Sequence, residues 1–338
     1  MSNNNGNGDG GTYKYYAYVT HDYGAISVFP FDAASGTVST STGAYPVTDS
    51  YPFVIIQHPS KSVLYVTCST IGLKTVRVFS ITPTTGSLTE IQNIITLGSD
   101  EIEITPDGKY LYTAGSGPIT SYKVSEDGKL ARVESQSSYP NHIKVAPDGK
   151  VLYATYDYFD FDTRLTYLAA YDINPNGTLT MRTKKDFTNK PIYIGVFSQF
   201  VYNTTLSGNI YHHNEGASLI EKNYISFADS NTGSLIANRG YLYVVKPSVG
   251  QIVGFTINPS TGSLTEFSGT GYPYATGTTF YIRKLSIDPD GKYLYALDED
   301  NKALLGYSIA SNGALSQLNW NVTIPDTPRS MTIAKVRQ

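Results

Sequence analysis

The chain is poor in cysteine, tryptophan, methionine and charge: 338 residues include one cysteine, one tryptophan, three methionines and only 16% charged residues. A single thiol, Cys68, excludes an internal disulfide and a cysteine-rich zinc site. Lying in the apolar run VLYVTCST, it reads as a small buried hydrophobe rather than a nucleophile. Dense Lys/Arg blocks are missing and the formal charge is −3, so the electrostatic footprint of a nucleic-acid or anionic-membrane binder is not there. No run approaches the roughly 18 apolar residues of a membrane span, and no segment reads as a signal peptide. The G-x-S-x-G elbow, the phosphate loop and the dinucleotide fingerprint are also lacking, which removes the commonest motifs for hydrolase and nucleotide chemistry.

What is abundant is strand chemistry. There are 29 tyrosines and 13 phenylalanines, with Thr and Ser throughout, and such side chains fit a pleated, half-buried surface. The opening MSNNNGNGDGG is polar and of low complexity, so residues 1–12 are expected to be a disordered linker and residues 13–338 one domain. A tether of this kind would follow a removed export or lipid-anchor signal, which points to an extracytoplasmic location; a cytosolic tail would look the same.

One phrase recurs along the chain: an apolar strand, a turn, Leu-Tyr in a second strand, a third strand ending near an aromatic, then Gly-x-Leu. It is clearest in EIEITPDGKYLYTAG followed by PITSYKVSEDGKL, and returns in HIKVAPDGKVLYATY and KLSIDPDGKYLYALD. The glycine of the closing turn falls at Gly36, Gly86, Gly128, Gly177, Gly216, Gly262 and Gly313, with spacings of 50, 42, 49, 39, 46 and 51. Seven copies, each with four short alternating strands, predict an all-β, seven-bladed propeller of four-stranded antiparallel blades. The Pro-Asp-Gly tripeptides at 106–108, 147–149 and 289–291 read as hairpin turns with no chemistry of their own. The first copy begins at YKYYAYVTH, a second strand with no first strand before it, while RSMTIAK at the other end fits the missing slot. Pairing Met331 to Ala334 beside Tyr15 to Val19 would close the ring and remove its free edges.

These phrases, the blade count and the terminal closure resemble the seven-bladed lactonase-type propellers, the group containing bacterial 6-phosphogluconolactonase and fungal carboxy-muconate lactonising enzyme. The resemblance runs from Tyr15 onward and is carried by VFSITPTTGSLTEI, PDGKYLYTAG and GFTINPSTGSLTEF. It implies a metal-independent active site built from a Pro-His-x-His lead-in to one blade, a Glu in an Asn-Glu-Leu phrase and an Asn-Arg pair. Here the first is Tyr139, Pro140, Asn141 and His142, so that His142 stands where the second histidine would. The second has Asn203 and Leu206 but Thr205 in place of the glutamate, and the third has Lys246 and Pro247, with Asn238 and Arg239 nearby in a turn. Two charged roles of the family are therefore unfilled at their usual positions, and the family's proton transfer and charge stabilisation would need other groups.

In a propeller the residues leading into each first strand converge on one mouth of the central channel, where ligands bind. That places Tyr51, Asp100, Glu101, His142, Tyr193, Tyr281, Arg283 and Arg329 together. In such a site His142 would be general base or acid, since an unperturbed imidazole titrates near neutrality, with Glu101 as a second catalytic candidate. Arg283 and Arg329 would fork onto an anion, Asp100 would balance a charge, and Tyr51, Tyr193 and Tyr281 would form flat walls. His212 and His213, adjacent on a strand, point to opposite faces and read as a surface pair. Asp157, Asp160 and Asp162 form an acidic run read as an exposed loop, with calcium binding the alternative. The expected protein is a monomer without metal or cofactor that binds a small anionic ligand or a protein partner; the alternative is a diverged lactone hydrolase or lactonising enzyme acting on a sugar-acid or carboxylate lactone.

Overall fold

The computed structural model describes residues 11–338 apart from 23, 48–49, 71, 99, 137, 161–162, 206, 215–218, 227–232, 270, 277–281 and 321, and gives the backbone alone at 158–160, 163, 220–224 and 283. Each copy of the repeat folds as an antiparallel meander. Blade three shows the plan, with strands Glu101–Ile104, Tyr110–Ala114, Thr120–Val124 and Leu130–Ser135 paired in sequence order. The Thr105 to Gly108 turn reverses the chain between the first two: Gly108 takes φ +72° and its N–H donates to the Thr105 carbonyl at 2.8 Å. Seven such sheets make a seven-bladed β-propeller, and the helical content among the described residues is one 3₁₀ turn, Pro247–Val249.

The ring closes as the repeat register requires. Strand Pro328–Arg337 lies antiparallel to Tyr13–His21, with Tyr15 opposite Lys335, Tyr16 opposite Ala334 and Val19 opposite Met331. The last strand of the chain is thus the first strand of blade one.

Alternation along the strands puts apolar side chains on both faces of every sheet, so the core is seven slabs, one at each seam between blades. Met331 and Ile333 enter the slab between blades seven and one, and Ala334 and Val336 the slab between blades one and two. Among the described residues, a polar stitch accompanies six of the seven slabs. The Tyr18 hydroxyl donates to the Gly86 carbonyl at 2.8 Å, Tyr65 to Gly128 at 2.9 Å, Tyr112 to Gly177 at 3.1 Å, Tyr202 to Gly262 at 2.7 Å, Tyr243 to Gly313 at 2.7 Å and Tyr295 to Gly36 at 2.9 Å. The equivalent bond of Tyr153 would fall on Gly216, outside the described residues. Each stitch runs from the second strand of one blade to the closing turn of the next, so the Leu-Tyr and Gly-x-Leu parts of the phrase are partners across a seam. A burial-driven slab is not directional; the buried hydroxyl-to-carbonyl bond fixes the height at which one blade meets another.

Cys68 is fully buried in the slab between blades one and two, where burial pushes its thiol up to about 12. His212 and His213 do point to opposite faces of strand Asn209–Asn214, but neither is on the surface. His212 stacks on Tyr202 at 5.3 Å, and His213 Nε2 meets Asn203 Oδ1 at 2.8 Å. Both faces of an inner strand are covered by neighbouring blades, which makes these rings seam residues. The acidic run is strand rather than loop, since Val151–Asp160 continues through Asp157. Asp157 is held by Arg164 at 2.7 Å and Lys190 at 3.0 Å, which depress its carboxyl. Asp162 and the Asp160 side chain lie outside the described residues.

Candidate functional site

The seven first strands surround a channel of about 1010 Å³, and their register sorts its lining into layers. Level with Tyr112 and Tyr153 of the second strands stand Glu103 and Lys144, with Ile56, Ile236 and Ser286 at the same height in blades two, six and seven. Two residues nearer the mouth stand Glu101, His142 and Lys284, opposite Ala114, Thr155 and Leu297. Register breaks between Pro52 and Ile55 and between Pro191 and Ile194 present Phe53 and Tyr193 to the same channel from blades two and five.

Glu101 and His142 come from neighbouring blades and meet at 3.5 Å, Oε1 to Nε2. The Tyr193 ring sits edge-on to the imidazole, 5.4 Å between centroids at 76°. Burial pushes the Glu101 carboxyl up to about 8 despite the opposing pull of Lys284, with Glu103 adding to the rise. The same burial, with Lys284 and Lys144 both disfavouring a further positive charge, takes His142 down to about 3. Burial thus favours the neutral form of both groups. Below them Lys144 donates to Glu103 at 2.7 Å; burial disfavours the ammonium, but the carboxylate outweighs it and Lys144 titrates above its usual range. Lys284, across the ring in blade seven, reaches Ser330 Oγ at 3.4 Å.

The expected residues are thus partly gathered. Glu101, His142 and Tyr193 line one layer, although His142 is not the near-neutral imidazole expected, because the channel wall desolvates it between two lysines. Asp100 lines the channel beside them, accepting from the Ser116 hydroxyl. Arg329 also lines the channel, but its Nε is bound to Asp22 and its guanidinium lies 5.8 Å from the Phe53 ring centroid. Tyr51, 54% exposed, lines a side pocket of about 250 Å³ with Asp22 and Arg329. Tyr281 and the Arg283 side chain lie outside the described residues. Lys144, Glu103 and Lys284 went unread; the inward period of two from Glu101 and His142 would have found the first two, but the register break between Ile282 and Lys284 hides the third. Thr205 is buried in its blade, with its hydroxyl 3.1 Å from that of Ser207. Arg239 sits in a turn with φ +47° and donates to the Asp290 carbonyl of blade seven.

The family model described as Lactonase, 7-bladed beta-propeller matches residues 16–194, more than half of the chain. This chain belongs to that family. Among solved structures, this lactonase-type propeller is similar to the periplasmic gluconolactonase of Pseudomonas aeruginosa, at 19% identity and a TM-score of 0.77 over 95% of this chain and 99% of that one. A protein of Bacteroides fragilis provisionally assigned as a 6-phosphogluconolactonase matches at 18% identity and a TM-score of 0.76, over 95% and 98% of the two chains. One of Bacteroides uniformis, assigned in the same way, matches at 19% identity and a TM-score of 0.76, over 95% and 99%. At such identities the likeness is one of fold. No curated protein matches the chain.

Proposed function

We propose that this lactonase-type propeller binds a small carboxylate or lactone in the upper layer of its channel, outside the cytoplasm, through His142 together with Glu101 and Lys284 rather than through the family's full set of residues. The observation that carries the reading is the Glu101–His142 pair, 3.5 Å apart, with the Lys284 ammonium acting on both from the opposite wall. An ammonium against the low-dielectric wall of the channel attracts an anion more strongly than it would in bulk water. The family's Glu and Asn-Arg positions hold Thr205, Lys246 and Pro247, which favours binding over the inherited chemistry. The periplasmic gluconolactonase among the similar structures supports the location.

A second reading, hydrolysis of the lactone, is favoured by the opposite displacement of the two titrations, which is how acid and base roles separate. His142 would take a proton from water as its oxygen attacks the carbonyl carbon, Lys284 would face the oxyanion, and Glu101 would give its proton to the departing alkoxide as the ring C–O bond breaks. Calorimetric titration of the full chain with carboxylates and lactones, run beside a hydrolysis assay, tests both. Binding without turnover supports the first reading; turnover lost in His142→Ala with binding kept supports the second; no binding at millimolar concentration overturns both.

A further inference from the structure

The outer strand of a propeller blade leaves a row of N–H and C=O groups free along its far edge, and such edges are normally cut short or charged. Six of the seven blades here obey that rule. The outer strands of blades one, six and seven are split into pieces of two to four residues, Thr37–Val38 with Gly43–Pro46, Leu264–Glu266 with Tyr274–Ala275, and Leu315–Gln317 with Val322–Thr323. Those of blades three, four and five carry charges of both signs, in LARVES, LTMRTKKD and IEKNYIS. Blade two is different. Its outer strand Leu88–Thr96 is nine residues long, and its one charged residue, Glu90, is held by Arg77 of the same blade at 3.1 Å. Among the described residues no further strand pairs with it.

The strand is interrupted at Ile91, since Val78 pairs with Gln92 and Phe79 with Glu90, and above that bulge Gln92 to Leu97 hold no charge. Thr75 stands opposite Ile95 and Lys74 opposite Thr96, so Leu73 and Leu97 flank the same end of the ladder. Ile95 is 64% exposed, Leu73 52% and Leu97 43%, which puts an apolar patch on the free edge. Lys74 is drawn away from it, donating to the Ser116 carbonyl of blade three at 3.0 Å.

We infer that this edge pairs with a second copy of the chain, Gln92 to Leu97 antiparallel to itself about Ile95, giving a two-fold dimer in place of the monomer expected from the sequence. Such pairing sets Ile95 against Ile95 and Asn93 against Leu97, so no like charges oppose one another. Because each chain offers one such edge, the contact closes at two copies and builds no fibre. A short ladder with three apolar side chains from each copy is at the small end of stable interfaces, so the dimer should come apart on dilution through the micromolar range.

Sedimentation equilibrium of the full chain, from micromolar to near-millimolar concentration, should show that exchange. Ile95→Lys should weaken it at least roughly tenfold, since the symmetry sets the two charges face to face. Met181→Lys, on the charged outer strand of blade four where Met181 is 50% exposed, should leave it unchanged. A thiol tests the register. Residues directly opposite in an antiparallel pair have Cα atoms about 4.5–5.5 Å apart, within disulfide range, so Ile95→Cys should crosslink two copies on mild oxidation. Asn93→Cys, about 14 Å from its own copy, should not; Cys68 is buried and takes no part. A monomer at every concentration would overturn the inference and leave the edge to an extended segment of another protein. A dimer that Ile95→Lys leaves intact and Ile95→Cys does not crosslink would overturn it as well. Should Ile95→Lys melt well below the native protein, the two cysteine variants decide.

Discussion

Replacing Gly86 by alanine probes the seam between blades one and two with a magnitude that follows from the structure. Gly86 takes φ +75°, and an added Cβ would lie 2.4 Å from the Tyr16 ring. The left-handed backbone costs alanine about 1 kcal/mol. The ring has no room to give, since Tyr16 is 5% exposed, its hydroxyl donates to the Pro83 carbonyl at 2.9 Å, and Tyr18 donates to Gly86 itself at 2.8 Å. Losing those two bonds adds about 1 kcal/mol each, so Gly86→Ala should cost about 3 kcal/mol. Two other glycines separate the contributions. Gly72 has φ +89° with nothing near its Cβ position, so Gly72→Ala should cost the strain alone, about 1 kcal/mol. Gly43 is open and not left-handed, so Gly43→Ala should be neutral or stabilising by up to about 1 kcal/mol. Denaturant titration measures the three, and by thermal melting a chain of 338 residues shifts about 1 to 2 °C per kcal/mol. If Gly86→Ala loses no more than Gly72→Ala, the tyrosine–glycine stitch does not hold the seam.

Removing residues 328–338 should leave blade one without its inner strand and open two apolar slabs, giving aggregation or a broad, low melt; a truncated chain that melts as sharply and as high as the native one would contradict the closure. The pH dependence has a definite sign. Glu101, raised from 4.5 to about 8, stabilises the fold below 4.5 and loses that contribution as pH rises through 8; His142, lowered from 6.5 to about 3, stabilises above 6.5 and loses it as pH falls through 3. The two cancel between 4.5 and 6.5, so stability should be flat there and fall on both sides, and Glu101→Gln should remove the fall between 6.5 and 8 in a melting-temperature profile. The Cys68 thiol should resist a thiol reagent in the folded protein and react only on unfolding, because burial has raised its titration to about 12.

The propeller was legible because its unit is repeated: seven closing glycines and the orphan strand RSMTIAK fix blade number and closure without any tertiary knowledge. The reason the phrase repeats was not legible. Tyr18 and Gly86 are 68 residues apart, and nothing local says that a hydroxyl in one copy serves a carbonyl in the next. At the site, Glu101 and His142 could be read because both begin strands of regular register. The register break after Pro52 turns Phe53 rather than Tyr51 into the channel wall, and Asp22, which holds Arg329, lies 307 residues away in sequence, so neither is visible in the local pattern. Titration was beyond reach as well, since the His142 shift depends on burial and on lysines from two blades.

The most direct test of the channel as the binding site is a crystal structure of the full chain grown with p-bromobenzoate, whose bromine marks its own position by anomalous scattering. The account predicts a bromine peak inside the ring at the height of Glu101 and His142, with the carboxylate against Lys284. A bromine peak on the outer faces of the blades or on the rim loops, with the channel holding only solvent, would contradict it.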